Sequence, residues 1–337
     1  MVNLDHIHSS NASISTSLAP GLIAVFVGGT SGIGEYTLKA FAKHARNPKI
    51  YFVGRSEEAA TRVVEECNKL NEGEYVFIKS DVSLIRNVDK VCEEIKKKEK
   101  RVDLLFQSQG MLDIKKQTEE GLLAAYALAY ASRFRFTQNL LPLLRESASL
   151  KRVITVFAGT KEGAIDESDW ACRNKATMWA AAAHMTSMLT LSLEILAKEA
   201  PDISFIHSYP GYVQSQIARD LTQEEFKTII MDGAQARGPV PVVSPEDCGE
   251  IHAYLSTSMK YPSSQHDASK GVAVEEGVKV ARGTDGKVGS GVYTVDQEGE
   301  CGPGEVEALL ADLRKTGVVD RLKKHTEEVF EGIVKSS

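Results

Sequence analysis

The alternation of short apolar runs with helical segments constrains the fold of this chain more than any other feature of its sequence. It begins in GLIAVFVGGTSGIGEYTLKAFAKHA, where an apolar run ending at Val27 leads into a glycine-rich turn and then into helical spacing. The same succession recurs as far as the run ISFIHSYPG, which ends at Gly211. Strand and helix repeated in this order are typical of βαβ units, and apolar runs without a two-residue alternation predict strands buried on both faces of a parallel sheet.

We therefore predict an α/β fold, a Rossmann-type doubly wound parallel sheet of about seven strands in a single domain. A strand that starts at Gly291 is expected to complete the sheet. The domain is predicted to span residues 21–300, after an N-terminal leader at 1–20 and before a C-terminal helical extension at 301–337, in which one amphipathic helix runs from Val306 to Val334. Residues 255–290 carry no recognisable motif and are predicted to form a variable region that determines the substrate.

The composition limits which binding partners and which cellular compartment are expected for this chain. The formal net charge of -6 comes from 40 basic and 46 acidic residues spread along the chain, so a nucleic-acid partner is not expected. The five cysteines are irregularly spaced, which predicts neither a disulfide framework nor a metal site. The leader is polar and the apolar run Gly21 to Val27 is too short to span a bilayer, so we expect a cytoplasmic protein without a membrane segment.

The turn VGGTSGIG places Gly28, Gly32 and Gly34 between the first strand and the first helix. Glycines at this point permit a tight turn and let the backbone approach a pyrophosphate, whose charge is met by the N-terminus of the helix. We predict a dinucleotide-binding site here. The alternative is a tight turn with a purely structural role.

The ends of the next two strands indicate which dinucleotide is bound. The second strand ends in FVGR, with Arg55 where an acidic residue would hold a ribose 2′-hydroxyl. A guanidinium suits a 2′-phosphate, which favours NADP(H) over NAD(H), unless Arg55 is only a solvated surface residue. Asp81, after the third strand, is suited to accept from the adenine amino group or to cap the helix that begins near Ser83.

With these motifs the sequence resembles the short-chain dehydrogenase/reductase family, from about Gly21 to Val213, and among its members the long fungal ones associated with secondary metabolism. Members share a TGxxxGxG turn, an NNAG stretch and a PG turn; this chain has VGGTSGIG, QSQG and PG. The resemblance implies that NADP(H) is held by Gly28, Thr30, Ser31, Gly32, Ile33, Gly34, Arg55, Asp81, Val82, Gln109, Gly110 and Ser215.

The same resemblance implies a degenerate catalytic tetrad. Aligned on the fifth helix, the fifth strand and the PG turn, the family's Asn, Ser, Tyr and Lys positions fall on Ala129, Ala158, Trp179 and Ala183. A shift of one residue would put His184 in the place of the lysine. Reduction of ordinary ketones by the family mechanism is therefore not expected, and the loss of a lysine that holds the nicotinamide ribose is expected to weaken or abolish cofactor binding.

Three functions are compatible with this pattern, each acting on a small apolar metabolite. The first is a biosynthetic NADP(H)-dependent reductase of an activated C=N or C=C bond, which needs positioning and electrostatics rather than an enzyme acid. The second is a non-redox isomerase, dehydratase or cyclase on the same scaffold. The third is a catalytically silent binding protein, because a fold does not determine a function.

Four residues are candidates to replace the tetrad. His184 lies on the catalytic helix and Tyr130 follows the asparagine position, while Lys161 and Glu162 leave the fifth strand just past Ala158, where ligands of doubly wound folds bind. Each has a structural alternative: a buried histidine, a core aromatic residue, or a solvated pair of loop charges.

Small residues on the fifth and sixth predicted helices favour packing against a second copy of the chain. In relatives these helices commonly pair with a second copy in a four-helix face, and Ala127, Ala131 and residues 181–183 would permit close approach. The resemblance therefore implies a homodimer or homotetramer.

Overall fold

The computed structural model describes residues 3–335 except 114, 176, 216, 218–221, 225–226, 229–230 and 232–241. Its centre is a seven-stranded parallel sheet in the order β3-β2-β1-β4-β5-β6-β9, beside a short parallel pair, β7-β8. The strands are β1 Ile23–Val27, β2 Lys49–Gly54, β3 Glu74–Lys79, β4 Leu104–Gln107, β5 Arg152–Val156, β6 Ser204–Ser208, β7 Tyr212–Val213, β8 Val242–Val243 and β9 Val292–Val295. The predicted doubly wound α/β fold is confirmed.

Helices cover both faces of this sheet. They are α1 Leu4–Ala12, α2 Ile14–Ser17, α3 Gly32–His44, α4 Glu57–Leu70, α5 Ile85–Lys98, α6 Ala124–Tyr126, a π-helical turn at Ala127–Ala131, α7 Ser132–Arg145, α8 Met178–Glu199, α9 Pro245–Thr257, α10 Gly304–Lys315 and α11 Val318–Lys335. Helices α5, α7, α8, α10 and α11 pack on one face, and α1 to α4 with α9 pack on the other.

The register of the central strands determines where a ligand can bind. All five residues of β1 are buried, as expected for a strand covered on both faces. Val27, at its carboxyl end, is paired with Val53 of β2 on one side and with Gln107 of β4 on the other. The chain order reverses between β1 and β4, and this topological switch point opens a crevice above the carboxyl ends of the strands.

The segment predicted as a leader is part of the fold. Ile7, Ile14 and Leu18 are buried against the face that carries α3 and α9. The side-chain amide of Asn11 donates to the carboxylate of Glu250 (2.7 Å) and to its backbone carbonyl (2.9 Å). Helices α1 and α2 are therefore docked on α9 rather than free of the domain.

The C-terminal extension differs from the single helix that the sequence predicted. It forms α10 and α11, separated at Gly317, whose φ of 73° lies in the left-handed region that glycine adopts at helix ends. Helix α11 crosses α7 and α8: the ring of Phe330 stacks on Phe134 at 6.1 Å, and Thr326 contacts the hydroxyl of Tyr130 at 2.6 Å.

This packing covers the face expected to receive a second copy. Ala127, Ala131 and Ala181 are each at most 1% exposed within the single chain.

Helix α8 is long and apolar enough to cross a membrane by length and composition alone, but most of its side chains are buried between the sheet and neighbouring helices, as in a core helix.

Candidate functional site

An open cleft of about 550 Å³ lies above the carboxyl ends of β1 to β4. Eleven of the twelve residues predicted to hold the cofactor line it: Gly28, Thr30, Ser31, Gly32, Ile33, Arg55, Asp81, Val82, Gln109, Gly110 and Ser215. The twelfth, Gly34, lies inside α3. None of the described residues between 255 and 290, predicted to determine the substrate, lines this cleft; Val272 and Ala281 instead pack on the α9 face of the sheet.

The glycine-rich turn is shaped by close backbone contacts. Gly28 (φ 85°) and Gly32 (φ 56°) adopt left-handed conformations. A Cβ atom on Gly34 would overlap the carbonyl oxygen of Gly28 and the hydroxyl of Ser108. The turn therefore brings the start of α3 against the cleft, and Ser31 makes no side-chain capping bond there, which leaves backbone N–H groups for an anion.

Arg55 and Asp81 lie at the β2 and β3 end of the cleft. In the part of the chain that the structure describes, Arg55 forms no salt bridge, whereas neighbouring Lys79 pairs with Glu57 (3.1 Å). Asp81 Oδ1 accepts from the backbone N–H (3.0 Å) and hydroxyl (2.7 Å) of Ser83. One oxygen of Asp81 therefore stabilises the turn before α5, while the residue still borders the cleft.

Gln109 places a buried side-chain amide at the other end of the cleft. Its side chain is 5% exposed, and Nε2 donates to the hydroxyl of Ser132 (3.1 Å) at the start of α7. The carbonyl oxygen Oε1 is buried and has no hydrogen-bond partner among the described residues. An orphaned buried acceptor in the wall of a cleft is well placed for a bound ligand or an ordered water.

His184 does not face this cleft, contrary to the hypothesis that it replaces the lysine. It is 1% exposed; Nδ1 accepts from the backbone N–H of Asp166 (3.1 Å), and Nε2–H donates to the carbonyl of Trp170 (3.3 Å). Burial lowers the pKa of this imidazole. Both ring nitrogens are used to hold the loop of residues 166–170, which is the structural alternative.

Tyr130 is also placed away from the cleft. Its hydroxyl lies between Ser192 (3.0 Å) and Thr326 (2.6 Å), and burial raises its pKa to about 12. This geometry makes Tyr130 a polar contact between the π-helical turn, α8 and α11. It corrects the hypothesis that Tyr130 takes part in proton transfer.

Lys161 and Glu162 do leave β5 at its carboxyl end, but neither lines the described cleft. The ammonium of Lys161 lies 5.3 Å from the centre of the Tyr209 ring. Glu162 Oε1 accepts from the hydroxyls of Thr190 and Thr294, both at 2.8 Å, and Oε2 is buried without a partner among the described residues. Burial raises the pKa of this carboxyl.

A buried chain of hydrogen bonds connects Glu162 to Ala158, the residue that the alignment places at the family's serine position. Because His207 Nε2 accepts from the backbone N–H of Ala158 (3.2 Å), its Nδ1 carries the proton and donates to Thr190 (2.8 Å). Thr190 in turn donates to Glu162. Sequence reasoning missed this network because its members lie on the loop after β5, on α8 and on β6, and share no local motif.

The packing of α8 distinguishes the two alignments of the lysine position, which place it at Ala183 or at His184. The backbone N–H of Gly163 donates to the carbonyl of Ala183 (3.2 Å) and to Ser187 Oγ (2.9 Å). A Cβ atom on Gly163 would lie 2.8 Å from the Cβ of Ala183. Ala183, rather than His184, therefore faces the end of β5, and the loop after β5 occupies the space beside it.

The fold and the cleft together define a class: a Rossmann-type α/β protein with a glycine-rich turn and an anion-binding helix N-terminus at its topological switch point. Residues 22–226 match the family model of short chain dehydrogenases. The chain belongs to the short-chain dehydrogenase/reductase family and is an oxidoreductase of that type, as the sequence resemblance implied.

Similar proteins span the whole chain. Oxidoreductase AN1596 of Emericella nidulans is 36% identical over 99% of both chains, and the short-chain dehydrogenase/reductase SAT2 of Stachybotrys chartarum is 30% identical over 94% of both. Among solved structures, the RhlG/NADP complex of Pseudomonas aeruginosa matches with a TM-score of 0.52 at 18% identity, covering 78% of this chain and 98% of that one. L-sorbose reductase of Gluconobacter frateurii, complexed with NADPH and L-sorbose, matches with a TM-score of 0.53 at 17% sequence identity. The match covers 77% of this chain and 97% of that one.

Proposed function

We propose that the protein is a biosynthetic, NADP(H)-dependent reductase of an activated C=N or C=C bond that works without the family's Asn-Ser-Tyr-Lys set. One observation supports the proposal: eleven of the residues predicted to hold the cofactor line a single cleft, whereas the positions aligned with the family's tetrad hold alanines and a tryptophan. The loop after β5 packs against Ala183, the residue that the alignment places at the lysine position.

The chain's own residues suit the two ends of this dinucleotide. Arg55 would hold the 2′-phosphate, and the N-terminus of α3 would meet the pyrophosphate. The orphaned oxygen of Gln109 and the hydroxyl of Ser215 would contact the nicotinamide half. The NADP and NADPH complexes among the similar solved structures support this choice of cofactor.

The proposed hydride acceptor follows from the lack of a titratable proton donor at the aligned tetrad positions. A bound reduced nicotinamide would supply a hydride. A ketone also needs a proton donor at its oxygen, and neither the indole of Trp179 nor the methyl groups of Ala158 and Ala183 titrates near neutral pH. An iminium already carries its positive charge, and a conjugated C=C bond can take its proton from solvent. The chain would then contribute binding, orientation and exclusion of water.

The described wall of the cleft also suits an apolar substrate. Met111, Leu128 and Ile217 line it beside Gln109 and Gly110. A small, largely apolar metabolite of fungal secondary metabolism is the substrate class that we infer, in keeping with the fungal relatives along the whole chain.

A transfer assay tests the proposed reaction. NADPH labelled with deuterium at its transferable position is incubated with the protein and with three model acceptors: a cyclic iminium, an aryl enone and the matching saturated ketone. We expect deuterium in the iminium or enone product and none in the alcohol from the ketone. Efficient labelling of that alcohol would contradict the proposal, because it would require a carbonyl acid.

A further inference from the structure

Arg133 is a buried cation next to the candidate site, and it has no role in the proposed cofactor binding or reduction. It lies on α7 and is 1% exposed. Nη1 donates to the carbonyl of Leu128 and Nη2 to the carbonyl of Val156, both at 2.7 Å, while Nε has no partner among the described residues. Leu128 lines the cleft, and Val156 is the last residue of β5, two positions before Ala158.

The charge of Arg133 is not neutralised by a neighbouring carboxylate. In the described part of the chain it forms no salt bridge, and its contacts are neutral carbonyls and the Phe157 ring, 5.6 Å from the guanidinium carbon. His207 stacks on the same ring at 6.3 Å and is neutral, because burial and the charge of Arg133 lower its pKa to about 3. Glu162 is reached only beyond His207 and Thr190, and burial raises its pKa.

Arg152, at the opposite end of β5, shows what a structural buried arginine looks like in this fold. It is also 1% exposed, and it donates to the carbonyls of Leu255, Ser258 and Tyr261. Leu255 and Ser258 belong to the C-terminal end of α9, where the helix dipole attracts a cation. Arg133 has no helix C-terminus as its partner: its two acceptors are the carbonyl of the π-helical turn and that of the strand end.

We propose that Arg133 sets the redox preference of the cofactor site, favouring the reduced nicotinamide over the oxidised one. The reduced ring is neutral and the oxidised ring is a cation, so a fixed positive charge beside the end of β5 disfavours only the oxidised form. Such a charge acts over several ångströms because the protein between it and the cleft screens poorly. The inference rests on the proposed NADP(H) binding and deepens it: the chain would retain NADPH, release NADP⁺ and act as a reductase.

The test is the ratio of the dissociation constants for NADP⁺ and NADPH, measured by calorimetry on the purified full chain. We expect wild type to bind NADPH about tenfold or more tightly than NADP⁺. Arg133→Met and Arg133→Gln should lower this ratio at least severalfold, whereas Arg133→Lys, which keeps the charge, should preserve it. Arg152→Met is the matched control, because it removes an equally buried arginine from the other end of β5, and it should leave the ratio unchanged.

Adenosine 2′,5′-bisphosphate, which lacks the nicotinamide half, separates this inference from the proposed function. Its affinity should be the same in wild type and in every folded Arg133 variant. Equal affinity of wild type for NADP⁺ and NADPH would overturn the role of Arg133 even if no neutral variant folds, and so would an unchanged ratio in a folded neutral variant. Failure of wild type to bind either NADPH or the bisphosphate would instead overturn the proposed function.

Discussion

At the scale of single residues, Ala183 and Gly163 pack together at the position where the alignment places the family's lysine. Gly163 hydrogen-bonds to the carbonyl of Ala183, and its backbone lies against the Ala183 methyl group. A lysine at position 183 would have to displace the loop that now packs there. The same loop carries Glu162 into the buried network behind Ala158.

The double variant Trp179→Tyr with Ala183→Lys is therefore expected not to recover ketone reduction. The restored tyrosine would lack a lysine in the right position to lower its pKa, since Gly163 fills that space. The measurement is NADPH consumption with a panel of simple ketones, with Trp179→Phe as the control. Ketone turnover well above that of the control would show that the two side chains alone were missing.

Two fully buried histidines make stability depend on pH. Burial lowers the pKa of His207 to about 3 and that of His252 to about 4. Below their ordinary value of about 6.5 the unfolded chain binds protons that the folded chain does not, so the free energy of unfolding falls as the pH decreases from about 6.5 towards 4. The expected slope is roughly 1.4 kcal/mol per pH unit for each histidine. Buried Glu162 opposes it, because its raised pKa lets the folded chain keep a proton that the unfolded chain has released.

Urea denaturation between pH 7.5 and 4.5 measures this slope. His252→Gln, which can still donate to the carbonyl of Cys248, should reduce it by about one proton. Glu250, whose pKa is lowered from 4.5 to about 2, adds to the loss of stability mainly as the pH falls from 4.5 towards 2. A free energy of unfolding that is constant from pH 7 to pH 5 would contradict this account.

At the scale of elements, what the sequence predicted correctly was local. The run Ile23–Val27 and the glycine turn after it predict a strand and the start of a helix within a dozen residues, as the structure shows. Eleven of the twelve residues predicted to hold the cofactor line the cleft near such strand ends, and their role in binding stays a prediction. Gly317 is a local signal too, a glycine just past a helical pattern, but it interrupts an amphipathic pattern that by itself predicts one continuous helix. The docking of α1 on α9 had no such signal, because Asn11 and Glu250 are 239 positions apart.

Asn11→Ala should weaken the docking of α1 on α9 and lower the stability of the fold. It removes two hydrogen bonds to Glu250 and leaves a buried carbonyl and carboxylate with fewer donors, so we expect the free energy of unfolding to fall by about 1–3 kcal/mol. Ser9→Ala, at an exposed position of the same helix, is the control and should be neutral. Equal stability of the two variants in urea denaturation would mean that α1 contributes little to the fold.

At the scale of the whole molecule, the chain covers with its own segments two surfaces that could receive a second copy. Helix α11 lies over α7 and α8, with Phe330 on Phe134. The outer side of β9 is also hydrogen-bonded within the chain, by Thr284 to Val292 and by Gly302 to Thr294. The sequence could not reveal this, because the small residues of the π-helical turn and of α8 suit a second copy and α11 equally well.

We therefore expect the purified protein to have the mass of one chain in size-exclusion chromatography with light scattering. The family resemblance implies a homodimer or homotetramer instead, and the same measurement decides between these assemblies and a single chain. A concentration-independent dimer that dissociates when Phe330 or Phe134 is replaced by alanine would contradict it.

The central claim, a retained NADP(H) site without its usual reacting groups, is tested most directly by titrating the protein with NADPH and with NADH while following nicotinamide fluorescence. We predict that NADPH binds more tightly than NADH and that Arg55→Ala weakens NADPH binding about tenfold or more while leaving NADH unchanged. Lys79→Ala, the neighbouring base paired with Glu57, should alter neither affinity. Binding of neither nucleotide would contradict the claim and leave the cleft as a remnant on a non-redox scaffold.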